Sequence, residues 1–207
     1  PLYPPVAITN APEGSLYLMD MYTGIIHDAQ FVGPNSYLRR KVEQLALDKQ
    51  HNWGRIWRIT YEGTPPDRQR PQMYRDTPAQ LVKHLEHQNG WWRDTAQKEL
   101  VLRQNKSVVP ALVTMARTSS NQLAKMHALW TLEGLGALDA RLVREQMKHP
   151  DPKIRIQAIR ASETLYKAGD KSFANDYGGM LKDADTDVVI QAMLTINLRR
   201  IPQYAEL

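Results

Sequence analysis

One five-residue pattern recurs four times in the last two-thirds of the chain, and it constrains the fold more than any other feature. Trp92-Arg93-Asp94-Thr95-Ala96 aligns with Ala124-Lys125-Met126-His127-Ala128, with Ile154-Arg155-Ile156-Gln157-Ala158 and with Val188-Val189-Ile190-Gln191-Ala192. The closing alanines lie 32, 30 and 34 residues apart. Such a period is the mark of stacked helix pairs, each of which buries its apolar face only against its neighbours. The alanine is small where two helices approach most closely. The residue four earlier (Trp92, Ala124, Ile154 or Val188) lies on the same face. Leu100, Leu132 and Ile196 extend that face in three of the four repeats. The turns agree: His149-Pro150-Asp151-Pro152 provides a stop, a cap and a proline for the first helical position, and Asp183 to Asp187 supplies acidic caps.

The first third reads differently. Leu16 to Tyr22 is an apolar, aromatic run after the turn cluster Pro12-Glu13-Gly14-Ser15. Arg55 to Tyr61 alternates Ile56, Arg58 and Thr60 against Trp57, Ile59 and Tyr61, as a strand does. Between them Leu38, Val42 and Leu45 recur at helical spacing behind Asn35, so a short helix is expected over about 35–47. Residues 65–75 carry Pro65, Pro66 and Pro71 among charges and read as a linker.

Bulk properties exclude several classes. The chain has 207 residues, 24% charged and 42% hydrophobic, which is ordinary globular composition. No stretch is long and apolar enough to span a membrane. The net charge of +5 is mild, and its densest basic run, Arg39-Arg40-Lys41, is a solvated face, so no nucleic-acid partner is expected. With no cysteine, disulfides, thiolate metal sites and a cysteine nucleophile are ruled out within these residues. No serine nucleophile elbow, phosphate-binding loop or dinucleotide fingerprint occurs. Gly134-Leu135-Gly136 reads as a helix C-cap.

Two groups of residues resemble a known family. Gly14-Ser15-Leu16-Tyr17-Leu18-Met19-Asp20-Met21-Tyr22 and Gly54-Arg55-Ile56-Trp57-Arg58-Ile59 look like the closing blade of a six-bladed propeller of the soluble glucose/sorbosone dehydrogenase-like group. Asn89-Gly90-Trp91-Trp92-Arg93-Asp94-Thr95-Ala96 and His127-Ala128-Leu129-Trp130-Thr131-Leu132-Glu133-Gly134 resemble the HEAT repeats that follow the propeller in large bacterial dehydrogenases of this kind. The resemblance implies a mixed fold: a β-rich propeller-end segment over 1–64, then an all-α solenoid of four HEAT-type repeats over 76–207. It implies a periplasmic setting and a structural role, holding a catalytic propeller against an electron acceptor. Pyrroloquinoline quinone with calcium, and haem c, belong on this view to the full-length protein; no cofactor is expected within this chain. The partners would be the remaining propeller and cytochrome c domains, or another subunit. The alternative is a HEAT scaffold that binds protein partners and does no chemistry. The family often has arginine after the blade's Asp-x-Tyr, where this chain has Thr23, and no Cys-x-x-Cys-His occurs. No catalytic residue is carried over.

The remaining candidates concern docking. Trp91, Trp92 and Trp130 fall near matching repeat positions, where aromatics serve either as core or as a docking surface. Arg93 and His127 lie beside them, and these five residues form the candidate interface. His84 and His87 share a helical face, but two ligands are too few for a metal site, and none is expected. His27 and Asp28 follow the blade strand and read as a loop pair.

Overall fold

The computed structural model describes residues 5–25, 30, 32–50, 52–63 and 65–204. His27 and Asp28 lie outside them. The chain divides into two compact units, Pro1–Pro71 and Gln72–Leu207.

The first unit is a three-stranded antiparallel sheet in the order β1 (Pro5–Asn10), β2 (Leu16–Asp20), β3 (Arg55–Ile59). Two of these strands carry the alternation visible in the sequence. β1 does not announce itself, because prolines surround its short Val6-Ala7-Ile8 run. The turn at Gly14, whose φ of 92° suits a residue without a Cβ, joins β1 to β2. The inserted helix is shorter than expected: α1 spans Tyr37–Gln44, with Ser36 rather than Asn35 as its cap, accepting from the Arg39 N–H. Ile8, Leu18 and Trp57 stand opposite one another, as do Ala7, Met19 and Ile56. Side chains alternate along a strand, so the two rows occupy opposite faces. Both faces are apolar, and Ile8, Trp57, Met19 and Ile56 are all exposed.

The second unit is helical. Four helix pairs follow in order: α2 (Pro78–His84) with α3 (Gly90–Arg103), α4 (Val109–Thr118) with α5 (Gln122–Gly134), α6 (Ala140–Met147) with α7 (Pro152–Ala168), and α8 (Phe173–Met180) with α9 (Thr186–Arg199). The second helices pack in sequence, α3 on α5, α5 on α7 and α7 on α9. Each carries one of the four aligned alanines, and all four are fully buried. Trp92, Ala124, Ile154 and Val188 are buried one turn earlier. The caps share this register. Asn89, Asn121, Asp151 and Asp185, each seven residues before its alanine, accept from backbone N–H groups of the first turn. Each second helix also ends at a left-handed or positive-φ residue: Gln104, Gly136, Gly169 and Arg200. α7 is 17 residues long against 14 for α3 and α9, and this extra turn accompanies the longest alanine spacing.

The third repeat breaks the apolar pattern at Ser162, one turn beyond Ala158. The hydroxyl is fully buried, donates to the Ile159 carbonyl at 2.6 Å and sits 2.9 Å from the Tyr177 hydroxyl. A polar group is tolerated there because both of its hydrogen-bonding needs are met.

The proline-rich stretch does not act as linker to its end. Met73 is buried in the core of the first two helix pairs. Arg103 anchors this segment by donating to the carbonyls of Met73 (2.6 Å), Tyr74 (3.1 Å) and Asp76 (2.5 Å). One guanidinium has enough donors to satisfy three carbonyls that no helix or strand would pair.

The packing at the alanines makes a direct prediction. Ala158→Leu adds methylenes where α7 has no free space and should cost about 1–3 kcal/mol. Thermal denaturation should show a drop of several degrees. An unchanged melting temperature would place the close helix contact elsewhere.

Candidate functional site

The five docking candidates separate into two environments. Trp92 is a core residue, 1% exposed. Its ring stacks on His87 at 5.0 Å, lies tilted against His84 at 5.2 Å and meets Trp91 edge-on at 5.8 Å. Trp91 is half-buried and packs on the same core cluster. Arg93 turns back along the chain. Its Nη1 donates to the carbonyls of His87 (2.6 Å) and Gln88 (2.7 Å), which follow α2. Arg155, in the same register, does the same to His149 and Pro150, and Lys125 to Ala116 and Arg117. A cation three residues before the repeat alanine thus satisfies carbonyls that end the first helix of each of these pairs. Trp91, Trp92 and Arg93 are therefore occupied with internal packing.

His84 and His87 are also occupied. His84 Nε2 lies 2.9 Å from an Asp76 carboxylate oxygen, and His87 Nδ1 accepts from the Asn89 N–H at 3.0 Å. Among the described residues no group of three or more His, Asp or Glu side chains could hold a metal ion.

His127 and Trp130 lie one turn apart on α5, and both reach to neighbouring second helices. His127 Nδ1 is 2.7 Å from Gln97 Oε1 on α3. Trp130 Nε1 donates to Gln157 Oε1 on α7 at 2.9 Å. The next step of this ladder is Glu163 on α7, which accepts from Thr195 Oγ1 and from Arg199 on α9. A groove lined by Trp130, Arg160, Thr164, Gln191, Leu194 and Leu198 runs along these helices. The Arg160 guanidinium lies 5.7 Å from the centre of the Trp130 ring. Tryptophan and arginine are the residue types enriched at the energetic centres of protein interfaces. Arg160, Leu194 and Leu198 were absent from the sequence-based candidates, although all three can be indexed from the repeat alanines.

Burial pushes the His127 imidazole below its ordinary value; the Asp94 carboxylate works in the opposite direction and the Arg93 cation reinforces the drop. A histidine whose folded value is lowered contributes stability that is present above the unfolded value of about 6.5 and is lost as pH falls. Melting temperature should therefore decline from pH 7 toward pH 5, and His127→Gln should flatten part of that decline. Identical slopes in the two proteins would refute the assignment.

The sheet unit holds one polar cluster. The Asp20 side chain is fully buried and accepts from the Tyr22 N–H (2.9 Å), Arg55 Nη2 (3.1 Å) and Trp57 Nε1 (3.3 Å). Burial opposes its charge, but these donors outweigh it and hold the carboxyl below its usual range. The Arg55 guanidinium rests over the Tyr22 ring at 3.9 Å, and Tyr22 stacks on Trp53. With three donors around its carboxylate, Asp20 locks β2 to β3. The Thr23 hydroxyl donates to the Ile25 carbonyl at 3.2 Å.

Residues 1–63 match a family described as a domain of unknown function (DUF7133). The match covers the sheet unit and none of the helix pairs. No curated protein matches the chain. No helix of the described residues is long and apolar enough to cross a membrane.

Proposed function

We propose that this chain is the propeller-end and HEAT portion of a larger periplasmic quinone- or haem-linked sugar or alcohol dehydrogenase. Its role is structural: it holds the catalytic propeller against an electron acceptor. The observation that carries this reading is the two-sided apolar sheet. Ile8 and Trp57 on one face, and Met19 and Ile56 on the other, are each at least 41% exposed. A three-stranded sheet is marginal by itself, and one with two apolar faces needs a neighbour on each, which is the situation of a propeller blade. On this reading the four helix pairs are HEAT repeats stacked as a solenoid, a form suited to presenting a long binding surface.

On this reading pyrroloquinoline quinone with calcium, and haem c, belong to other parts of the full-length protein. The chain has no cysteine for covalent haem attachment, and Asp20 already accepts from three donors. The groove at Trp130 and Arg160 favours a second reading, a scaffold that binds protein partners and does no chemistry.

The source reading frame decides between them. The first reading expects preceding propeller blades and a Cys-x-x-Cys-His motif in the same polypeptide. The full-length protein, reconstituted with pyrroloquinoline quinone and Ca²⁺, should oxidise aldoses or alcohols in a dye-linked assay, while this chain alone should show no turnover. A reading frame without further blades, or a full-length protein without turnover, would leave the scaffold reading.

A further inference from the structure

The face of α9 that points away from α7 exposes an apolar position that α5 and α7 bury. It is the residue just after the repeat alanine. Leu129 and Ile159 are 2% and 0% exposed, whereas Met193, in the same register, is 45% exposed. Ile190 and Leu194 beside it are 48% and 57% exposed. With Asn197, Arg200 and Tyr204 they line an open groove of ≈ 710 Å³. On α3, α5 and α7 the corresponding side chains meet the next second helix. Gln97 reaches His127, Trp130 reaches Gln157, and Glu163 reaches Thr195. The apolar stripe on α9 thus continues an interface used three times already in this chain.

We propose that this face is a homodimer interface in which α9 packs antiparallel against α9 of a second copy about a twofold axis between Met193 and Leu194. Three observations support it. Ile190, Met193, Leu194 and Asn197 recur at three- and four-residue steps along α9, the spacing that lets two helices interlock. The stripe is bounded by opposite charges, Asp187 at the start of α9 and Arg200 at its end, and neither side chain has an ion-pair partner among the described residues. Antiparallel pairing centred at Met193 and Leu194 sets Asp187 of each copy opposite Arg200 of the other. A twofold axis makes this match twice.

The third observation concerns the other end of the helix pairs. Where one second helix receives the next, the residue three after the alanine is small and fully buried: Thr131, Ala161 and Thr195. At that position α3 has Glu99, held by Arg103 at 2.9 Å, and Arg103 is itself bound to the carbonyls of residues 73, 74 and 76. A tethered charge makes a poor seat for the apolar face of a second copy stacked head-to-tail. Between copies of this chain a closed twofold pair therefore fits better.

The test uses the full chain in sedimentation velocity over a range of concentrations. The wild type should dimerise reversibly, and Leu194→Glu should abolish the dimer while leaving the helical circular dichroism and melting temperature near wild type. Asp187→Arg should weaken the dimer about tenfold by setting two arginines against each other. Arg200→Glu on that background should restore it, because the charges then match again. A chain that stays monomeric at all concentrations would overturn the proposal and leave the face to a further helix pair. A dimer insensitive to Leu194→Glu, or one in which the double reversal fails to recover affinity, would also overturn it. None of these outcomes depends on the proposed dehydrogenase role.

Discussion

Trp92→Ala should cost about 3–5 kcal/mol, the range for removing a buried aromatic. The indole is enclosed by the end of α2 and the start of α3, between His84, His87 and Trp91, and it belongs to a core that extends to Met73, Leu81, Leu85 and Leu135. Truncation leaves a cavity that the capped helix ends around it cannot close by shifting. Asn89 fixes the start of α3 through the Trp91 N–H, and Arg93 fixes the residues after α2. Urea denaturation should register the loss as a lower midpoint with an unchanged slope. Trp91→Ala, at a half-buried site, should cost clearly less. Equal effects from the two tryptophans would mean that the core does not centre on Trp92.

Arg155→Ala should be about as severe, on the order of 3–5 kcal/mol, because it strands a buried charge. Arg155 and Asp183 are 14% and 10% exposed and share two hydrogen bonds of 2.7 and 2.9 Å. Those bonds hold the Asp183 carboxyl below its ordinary range. Arg155 also satisfies two carbonyls before α7, so alanine leaves two kinds of polar group without partners. The pair itself is worth less than its disruption costs, since both ions were desolvated to form it. Arg155→Met combined with Asp183→Leu should therefore be markedly more stable than Arg155→Ala in chemical denaturation. The contribution of a carboxylate with a lowered value is present above the unfolded value of about 3.9 and is lost as pH falls below it. The gap between wild type and Arg155→Ala should accordingly narrow under acid. A gap that persists at pH 2 would point to packing rather than charge.

Arg93 shows why the first repeat differs from the third. It has the same register as Arg155 and makes the same carbonyl contacts, but its Nε is buried without a partner. Where Asp183 stands before α9, the chain has Ser119 before α5, and that hydroxyl donates to Glu86 instead. The repeat keeps the backbone role of the cation and drops the ion pair. Sequence alignment of the repeats pairs the two arginines but does not reveal which of them has a carboxylate within reach.

The sequence by itself determined the local structure that repeats: the alanines at close helix contacts, the acidic caps before α7 and α9, the glycine at the end of α5, and the alternating strands β2 and β3. These follow from steric and hydrogen-bonding preferences acting over a few residues, and a four-fold repeat states them four times. Tertiary structure decided what periodicity cannot carry. Ile159 and Met193 occupy the same register and are both apolar, but only Ile159 is covered, because α9 lies beyond α7 and no described helix lies beyond α9. Trp91 and Trp92 are adjacent letters, and only the angle at which α3 meets α2 sends one into the core. β1 became a strand by pairing with β2, its own residues being a weak signal among prolines. Burial and pairing are properties of neighbours distant in sequence, so a residue's type sets what it can offer and the fold sets what it meets.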